Sequence, residues 1–110
     1  MAEIENSGTG IGPGAPVIVN LHSPREKIWG VLREVNAAGV FVRGIDLNTF
    51  DDWVQMIVRC ERNMGLTHVF VPMWRVERVT LDESVDEIPS LAARFHSRVG
   101  LTVSEYLDAD

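Results

Sequence analysis

Residues 27–47 read KIWGVLREVNAAGVFVRGIDL, and this stretch decides the fold of the chain. β-Branched and aromatic residues dominate both arms, on either side of the sequence NAAG, which is typical of β-strands. Asn36 and Gly39 in the connection tolerate positive φ, as the tight turn of a hairpin requires. Each arm also carries one glycine, Gly30 or Gly44, and a lone glycine in a strand often marks a bend. The stretch therefore predicts a long, bent β-hairpin.

The rest of the chain adds three strands and several helices to this hairpin. Alternating or β-branched apolar residues predict strands at residues 16–22, 67–73 and 74–81. Residues 48–64 change to helical spacing, with one apolar stripe made of Phe50, Trp53, Val54, Ile57, Cys60 and Met64. We therefore predict a mainly β fold with helices: a five-stranded SH3-like barrel, with a helix inserted between strands three and four.

Composition shifts divide the chain into three parts. Residues 1–15 are rich in glycine and small polar residues, which predicts a flexible arm. Residues 16–81 form the barrel with the helical insertion at 48–65. Residues 82–110 predict an acidic extension with one or two short helices, the first capped near Ser84 and begun by Pro89.

The charge of the chain is unevenly distributed. The net charge is −6, yet residues 1–81 hold nine acids and eight bases, whereas residues 82–110 hold seven acids and two bases. The body is therefore almost neutral and the tail is acidic. A net negative charge disfavours nucleic-acid binding, but the neutral body weakens that objection.

The length of 110 residues suits one domain that buries a core without disulfides. Cys60 is the single cysteine, and its place on the predicted helix stripe indicates a buried structural thiol. No apolar run reaches the roughly 18 residues of a membrane span, and no signal-peptide pattern is present. We expect a cytoplasmic protein with no membrane partner.

Residues 16–47 and 67–81 resemble the Sm and Sm-like family, which includes the bacterial RNA chaperone Hfq. The matching features are a glycine at a bend in the second strand, a short turn into the third strand, and a late apolar strand followed by two valines. They are carried by Trp29-Gly30-Val31-Leu32, Val40-Phe41-Val42, Val69-Phe70-Val71 and the pair Val76 and Val79.

This resemblance implies an Sm-like barrel that forms homo-oligomers, because family members pair the fourth strand of one subunit with the fifth strand of the next. Strand edges are suited to such pairing, since their backbone groups are unpaired. The expected subunit interface comprises Val69, Phe70, Val71, Arg75, Val76 and Glu77.

The resemblance also implies RNA binding, although the family's RNA-holding residues are mostly replaced. The family has an Asp and an Asn in the turn that faces RNA, where this chain has Asn36 and Gly39. An Arg-Gly or Lys-His pair usually follows the fourth strand, where this chain has Pro72 and Met73. Arginine beside an aromatic residue can stack on a base or form ion pairs across an interface. The candidate nucleic-acid contacts are Asn36, Trp74, Arg75 and Arg78.

Catalytic chemistry has little support in the sequence. Asp46, Asp51 and Asp52 could act with His22 or His68, since paired carboxylates serve acid–base chemistry. A helix start with Thr49 as the N-cap explains Asp51 and Asp52 without catalysis, since negative charges are favourable in the first turn of a helix. No metal-ligand spacing or phosphate-binding loop occurs, so we predict no catalytic residues, no metal and no cofactor.

The sequence therefore favours a non-enzymatic, oligomeric Sm-like barrel that serves as a binding or scaffolding module for an unidentified ligand. An RNA-binding Sm-like protein is the first alternative. A small enzyme that uses the carboxylates between Asp46 and Asp52 is the second.

Overall fold

The computed structural model describes residues 10–61 and 65–108. The strands are β1 (Pro16–Leu21), β2 (Glu26–Asn36), β3 (Gly39–Asp46), β4 (Thr67–Pro72) and β5 (Val76–Leu81). The α-helices are α1 (Phe50–Val58), α2 (Leu91–Val99) and α3 (Val103–Asp108). Short 3-10 helices at Leu47–Thr49 and Met73–Arg75 precede α1 and β5.

The five strands form one antiparallel sheet in the order β4-β3-β2-β1-β5. This confirms the five strands, the helix between the third and fourth strands, and the two short helices at the end. The sheet is open, because β4 and β5 are its two edges and do not pair with each other. Among the described helices, none has both the length and the apolar character that crossing a bilayer demands.

Two glycines set the shape of the central hairpin. Gly30 and Gly44 lie directly opposite each other in the β2–β3 ladder. A Cβ added to Gly30 would lie 2.6 Å from the Cα of Gly44, and one added to Gly44 would lie 2.9 Å from the Cα of Gly30. These positions therefore let the two backbones approach more closely than side chains allow. At the tip, the Asn36 side-chain oxygen accepts a hydrogen bond from the Ala38 N–H at 2.8 Å.

The sheet buries residues on both faces. All five strands contribute to the inner cluster, whose members are Val17, Val19, Leu21, Leu32, Val40, Val42 and Val71, with Val69, Val76 and Val79 packed against them. The helices cover the opposite face in the helical cluster, which includes Trp29, Val31, Phe50, Trp53, Val54, Leu66, Phe95 and Val103. The alternation of a strand explains why Val31 and Leu32 belong to different clusters.

A buried carboxylate joins the sheet to the helical layer. Asp82, directly after β5, accepts hydrogen bonds from Trp29 Nε1 at 3.0 Å and from the backbone N–H groups of Leu91 and Ala92 at 2.9 and 2.8 Å. Ser90 is the N-cap and accepts a further bond from the Ala93 N–H. The first turn of α2 is thereby satisfied at its start.

Several local predictions differ from the structure around α1. The helix ends at Val58, so it is shorter than the predicted 48–64, and residues 62–64 lie outside the described part. Cys60 is exposed with a φ of 60°, so the buried structural thiol was wrong. Thr49 makes no capping bond through its side chain, and its hydroxyl donates to the Asp46 carbonyl instead.

Other differences concern the ends of the later elements. Helix α2 begins at Leu91, after Pro89 and after the predicted cap at Ser84. The strand predicted at 74–81 begins at Val76, because its first residues belong to the 3-10 helix. Residues 1–9 of the predicted flexible arm lie outside the described residues, while Gly14 and Ala15 are hydrogen bonded to Leu32.

We expect Gly44→Ala to lower the free energy of unfolding by about 3 kcal/mol, the upper end of the range for overpacking. The new methyl group would press on the Trp29 carbonyl and the Gly30 Cα. Gly14→Ala is the control, because its Cβ meets nothing within 4 Å and only its φ of 94° opposes the substitution. That control should cost about 1–2 kcal/mol in urea denaturation. Equal losses would contradict the steric explanation.

We expect Asp82→Ala to cost about 3–4 kcal/mol, because an unpaired buried donor costs roughly 1–3 kcal/mol and three donors lose their acceptor. Ser90→Ala removes one capping bond at the same helix terminus and should cost about 1 kcal/mol. Urea titrations followed by tryptophan fluorescence measure both losses. A loss for Asp82→Ala no larger than that for Ser90→Ala would show that the carboxylate does not join the two layers.

Candidate functional site

The two edge strands are the first candidate for a functional surface. β4 and β5 each contain six residues, and each pairs with a neighbour on one side only. An edge strand presents unpaired backbone groups that can accept another strand. β4 carries no Lys, Arg, Asp or Glu, so it lacks the charges that usually discourage such pairing.

The predicted interface residues occupy different positions on these edges. Val69, Val71 and Val76 pack in or against the inner cluster, so a neighbouring copy would meet them mainly through their backbones. Phe70 faces away from that cluster and is 46% exposed. Glu77 is exposed on β5.

Arg75 connects the two turns at one end of the sheet. Its guanidinium donates to the carbonyl oxygens of His22 and Pro24 at 3.2 and 2.7 Å and pairs with Glu26 at 3.3 Å. The His22 N–H donates back to the Arg75 carbonyl at 3.0 Å. Arg75 therefore fixes the β1–β2 turn against the 3-10 helix. Its neighbour Trp74 is 64% exposed.

Three of the predicted nucleic-acid contacts lie on neighbouring turns and the fourth lies on β5. The Met73 N–H donates to the Ala38 carbonyl at 2.9 Å, which places the hairpin tip with Asn36 beside the turn that carries Trp74 and Arg75. Arg78 lies further along β5, opposite Asn20.

A second surface, not predicted from the sequence, lies across β2, β3 and β4. We call it the aromatic groove; it encloses about 320 Å³ and is lined by Arg33, Glu34, Phe41, Val42, His68, Val69 and Phe70. Phe41 and Phe70 are cross-strand partners with ring centroids 4.7 Å apart. They are 36% and 46% exposed, so a pair of aromatic rings meets solvent here.

Local backbone features build the aromatic groove. The β2–β3 register shifts between Leu32 and Glu34, so Arg33 is an extra residue at the rim. A Cβ on Gly39 would lie 2.8 Å from the Phe70 ring, which shows that glycine lets the ring lie over the β3 backbone. The sequence contained a signal for this exposed ring. Side chains alternate along a strand, so Phe41 lies on the face opposite to Val40 and Val42, which belong to the inner cluster.

The basic side chains in and beside the aromatic groove differ in their partners. Arg33 and His68 have neither an ion pair nor a side-chain hydrogen bond within the described ranges. Arg43, which is cross-strand from His68, donates to the Leu66 carbonyl at 3.3 Å. Glu34 accepts a hydrogen bond from Asn36 at 2.7 Å. The groove thus offers an apolar floor with two uncommitted basic side chains.

The carboxylates considered for catalysis have structural roles. Asp46 accepts a hydrogen bond from the Asn48 N–H at 2.8 Å, and Asp51 pairs with Arg94. Asp52 lies in the first turn of α1, where a negative charge is favourable. Within residues 10–61 and 65–108, no three His, Cys, Asp or Glu side chains are grouped to hold a metal ion.

No family model, curated protein or solved structure matches this chain. Its function therefore has to be inferred from its own surfaces, which are the two sheet edges and the aromatic groove.

We expect Arg75→Ala to loosen the β1–β2 turn while the sheet stays folded. Amide hydrogen exchange at residues 22–26 should accelerate, and the free energy of unfolding should fall by about 1 kcal/mol, because the lost bonds are partly exposed. Arg78→Ala removes an exposed arginine from β5 and should change stability by less than about 0.5 kcal/mol. Unchanged exchange at residues 22–26 would contradict this role for Arg75.

Proposed function

We propose that this chain is a non-enzymatic binding module that self-associates by pairing β4 of one copy with β5 of the next. One observation carries the proposal: a single antiparallel sheet ends in two edge strands of equal length, and each of them pairs with a neighbouring strand on one side only. Each copy therefore offers one free edge on β4 and one free edge on β5. Such a head-to-tail contact closes into a ring when the rotation between copies allows it.

Packing on the inner face supports the same contact. Val69 and Val71 on β4, and Val76 and Val79 on β5, lie in or against the inner cluster. If the edges pair, these valines extend the apolar layer across the junction between copies. The backbone bonds and this apolar continuity would act together, since edge pairing supplies hydrogen bonds and side-chain packing supplies specificity.

We further propose that the sheet curls into a divergent Sm-like barrel. The strand order, the close glycine pair in the hairpin and the 3-10 helix between β4 and β5 support this. The edge pairing is the arrangement that the resemblance implies. The ligand of the assembly is left open by this proposal.

RNA binding is the second candidate, favoured by one observation: the hairpin tip lies beside the turn that carries the exposed Trp74. An exposed aromatic ring can stack on an unpaired base. Binding of short U-rich or A-rich oligonucleotides should then fall steeply with salt. Absence of binding at low salt would contradict this candidate.

Cross-linking between singly substituted chains tests the edge pairing. In a Cys60→Ser background, one chain carries His68→Cys on β4 and a second chain, with a size tag, carries Thr80→Cys on β5. We expect a mixed disulfide dimer under mild oxidation. Phe70→Cys and Arg78→Cys extend the set, because the register between copies is unknown and only pairs in register bring sulfurs close enough.

The control for cross-linking replaces the β5 cysteine with Ser97→Cys on the exposed side of α2. Sedimentation of the unsubstituted chain gives its mass independently. A monomer throughout the micromolar range, together with cross-linking no faster than in the Ser97→Cys control, would refute edge pairing.

A further inference from the structure

The connection between β5 and α2 presents a small ordered turn with an unusual surface. Val85 and Ile88 exchange two backbone hydrogen bonds of 2.9 and 2.8 Å, and Asp86 between them has a φ of 53°. Ser84 accepts a bond from the Ser90 N–H, which ties this connection to the start of α2. Residues 83–88 form what we call the acidic turn.

The acidic turn exposes both apolar and charged groups. Val85 and Ile88 are 55% and 72% exposed. Glu83, Asp86 and Glu87 are exposed, and their carboxylates have neither ion pairs nor hydrogen bonds to any residue that the structure describes. Two bare aliphatic side chains rimmed by three free carboxylates are complementary to an apolar surface rimmed by cations.

We propose that the acidic turn of one copy docks into the aromatic groove of a neighbouring copy. Val85 and Ile88 then cover Phe41 and Phe70, and the carboxylates lie near Arg33 and His68. This inference rests on the proposed edge pairing and assigns a partner to the groove, namely a second copy of this chain.

The direction of the strands supports this placement. Because every neighbouring pair in the order β4-β3-β2-β1-β5 is antiparallel, β4 and β5 run in the same direction. If the inner clusters of two copies lie on the same side of the joined sheet, β5 of one copy is therefore parallel to β4 of the next, and the ends of the two strands lie side by side. The chain that leaves β5 after Leu81 then emerges next to Val71 and Pro72 of its neighbour, directly after Phe70 of the groove. The acidic turn begins two residues after Leu81.

The two surfaces also lie on the same face of the sheet. Ile45 packs against the helical cluster, and Phe41 is four residues away on β3, so both point to the helical face. The acidic turn leads into α2, which covers that face through Phe95.

The turn is placed to meet a neighbouring groove and not its own. The groove spans β2, β3 and β4, whereas the turn follows β5 at the opposite edge, and β1 lies between β5 and β2. The groove strand nearest to β5 is β2, and it lies two strand spacings from β5, where one spacing is about 4.8 Å. The other two strands of the groove, β3 and β4, lie further from the turn. A second copy therefore fits the observations better than an internal contact.

Charge reversal with mutual rescue tests the docking. The groove variant is R33E/H68E, the turn variant is E83R/E87R, and the third protein combines all four changes. We expect each two-residue variant to weaken self-association by about tenfold or more, and the combined protein to recover most of the loss. Sedimentation equilibrium measures the association constants. R59E/R98E is the matched control, because it reverses two exposed arginines outside both surfaces.

A further variant, V85S/I88S, tests the apolar part of the contact and should also weaken association. Circular dichroism verifies that every variant is folded. Association that stays within about twofold of the unsubstituted chain in both charge variants and in V85S/I88S would overturn the docking while leaving edge pairing intact. Failure of the combined protein to recover would overturn it as well.

The edge cross-link separates the two proposals. A monomeric chain without the β4–β5 disulfide refutes edge pairing, and the docking with it. An assembling chain that forms the disulfide but ignores both charge reversals refutes only the docking. If R33E/H68E instead releases co-purified nucleic acid, detected by absorbance at 260 nm, and E83R/E87R has no effect, the groove belongs to nucleic acid and the second copy is excluded.

Discussion

The hydrogen bonds to the Asp82 carboxylate are the interaction on which the helical layer depends. A buried carboxylate is costly unless donors surround it, and here Trp29 Nε1 and two backbone N–H groups of α2 do so. The helix dipole adds a favourable field at the same place. The bonds fix where α2 begins relative to the central hairpin. Phe95 of α2 is consequently stacked on Trp53 of α1, with ring centroids 5.1 Å apart.

The position of the helices decides which surface remains bare. They cover the half of the helical face around Trp29. The other half, near the hairpin tip, has no helix above it in the described part of the chain. The close backbone approach at Gly30 and Gly44 lies between these halves. Fold and candidate site therefore have one cause: the contacts that hold the helices in place leave the aromatic groove uncovered.

Features that depend on a few neighbouring residues could be predicted from the sequence. The hairpin turn, the αL residue Gly100 after α2, and the reciprocal bonds between Thr102 and Glu105 are of this kind. Features that depend on distant contacts could not. The start of α2 is set by Asp82, which belongs to the end of the sheet, and helical periodicity did not reveal the exposed Cys60. The groove needs the pairing of two strands separated by α1.

Electrostatics gives the proposed contact a further physical basis. The acidic tail would repel other tails in a symmetric tail-to-tail contact, because residues 82–110 hold seven acids and two bases. A head-to-tail contact places the tail of one copy on the nearly neutral body of the next. There the Arg33 guanidinium has no partner among the described residues, so the carboxylates would lie near a free positive charge instead of near other carboxylates. Edge pairing and charge distribution thus favour the same direction of assembly, although each follows from a different part of the sequence.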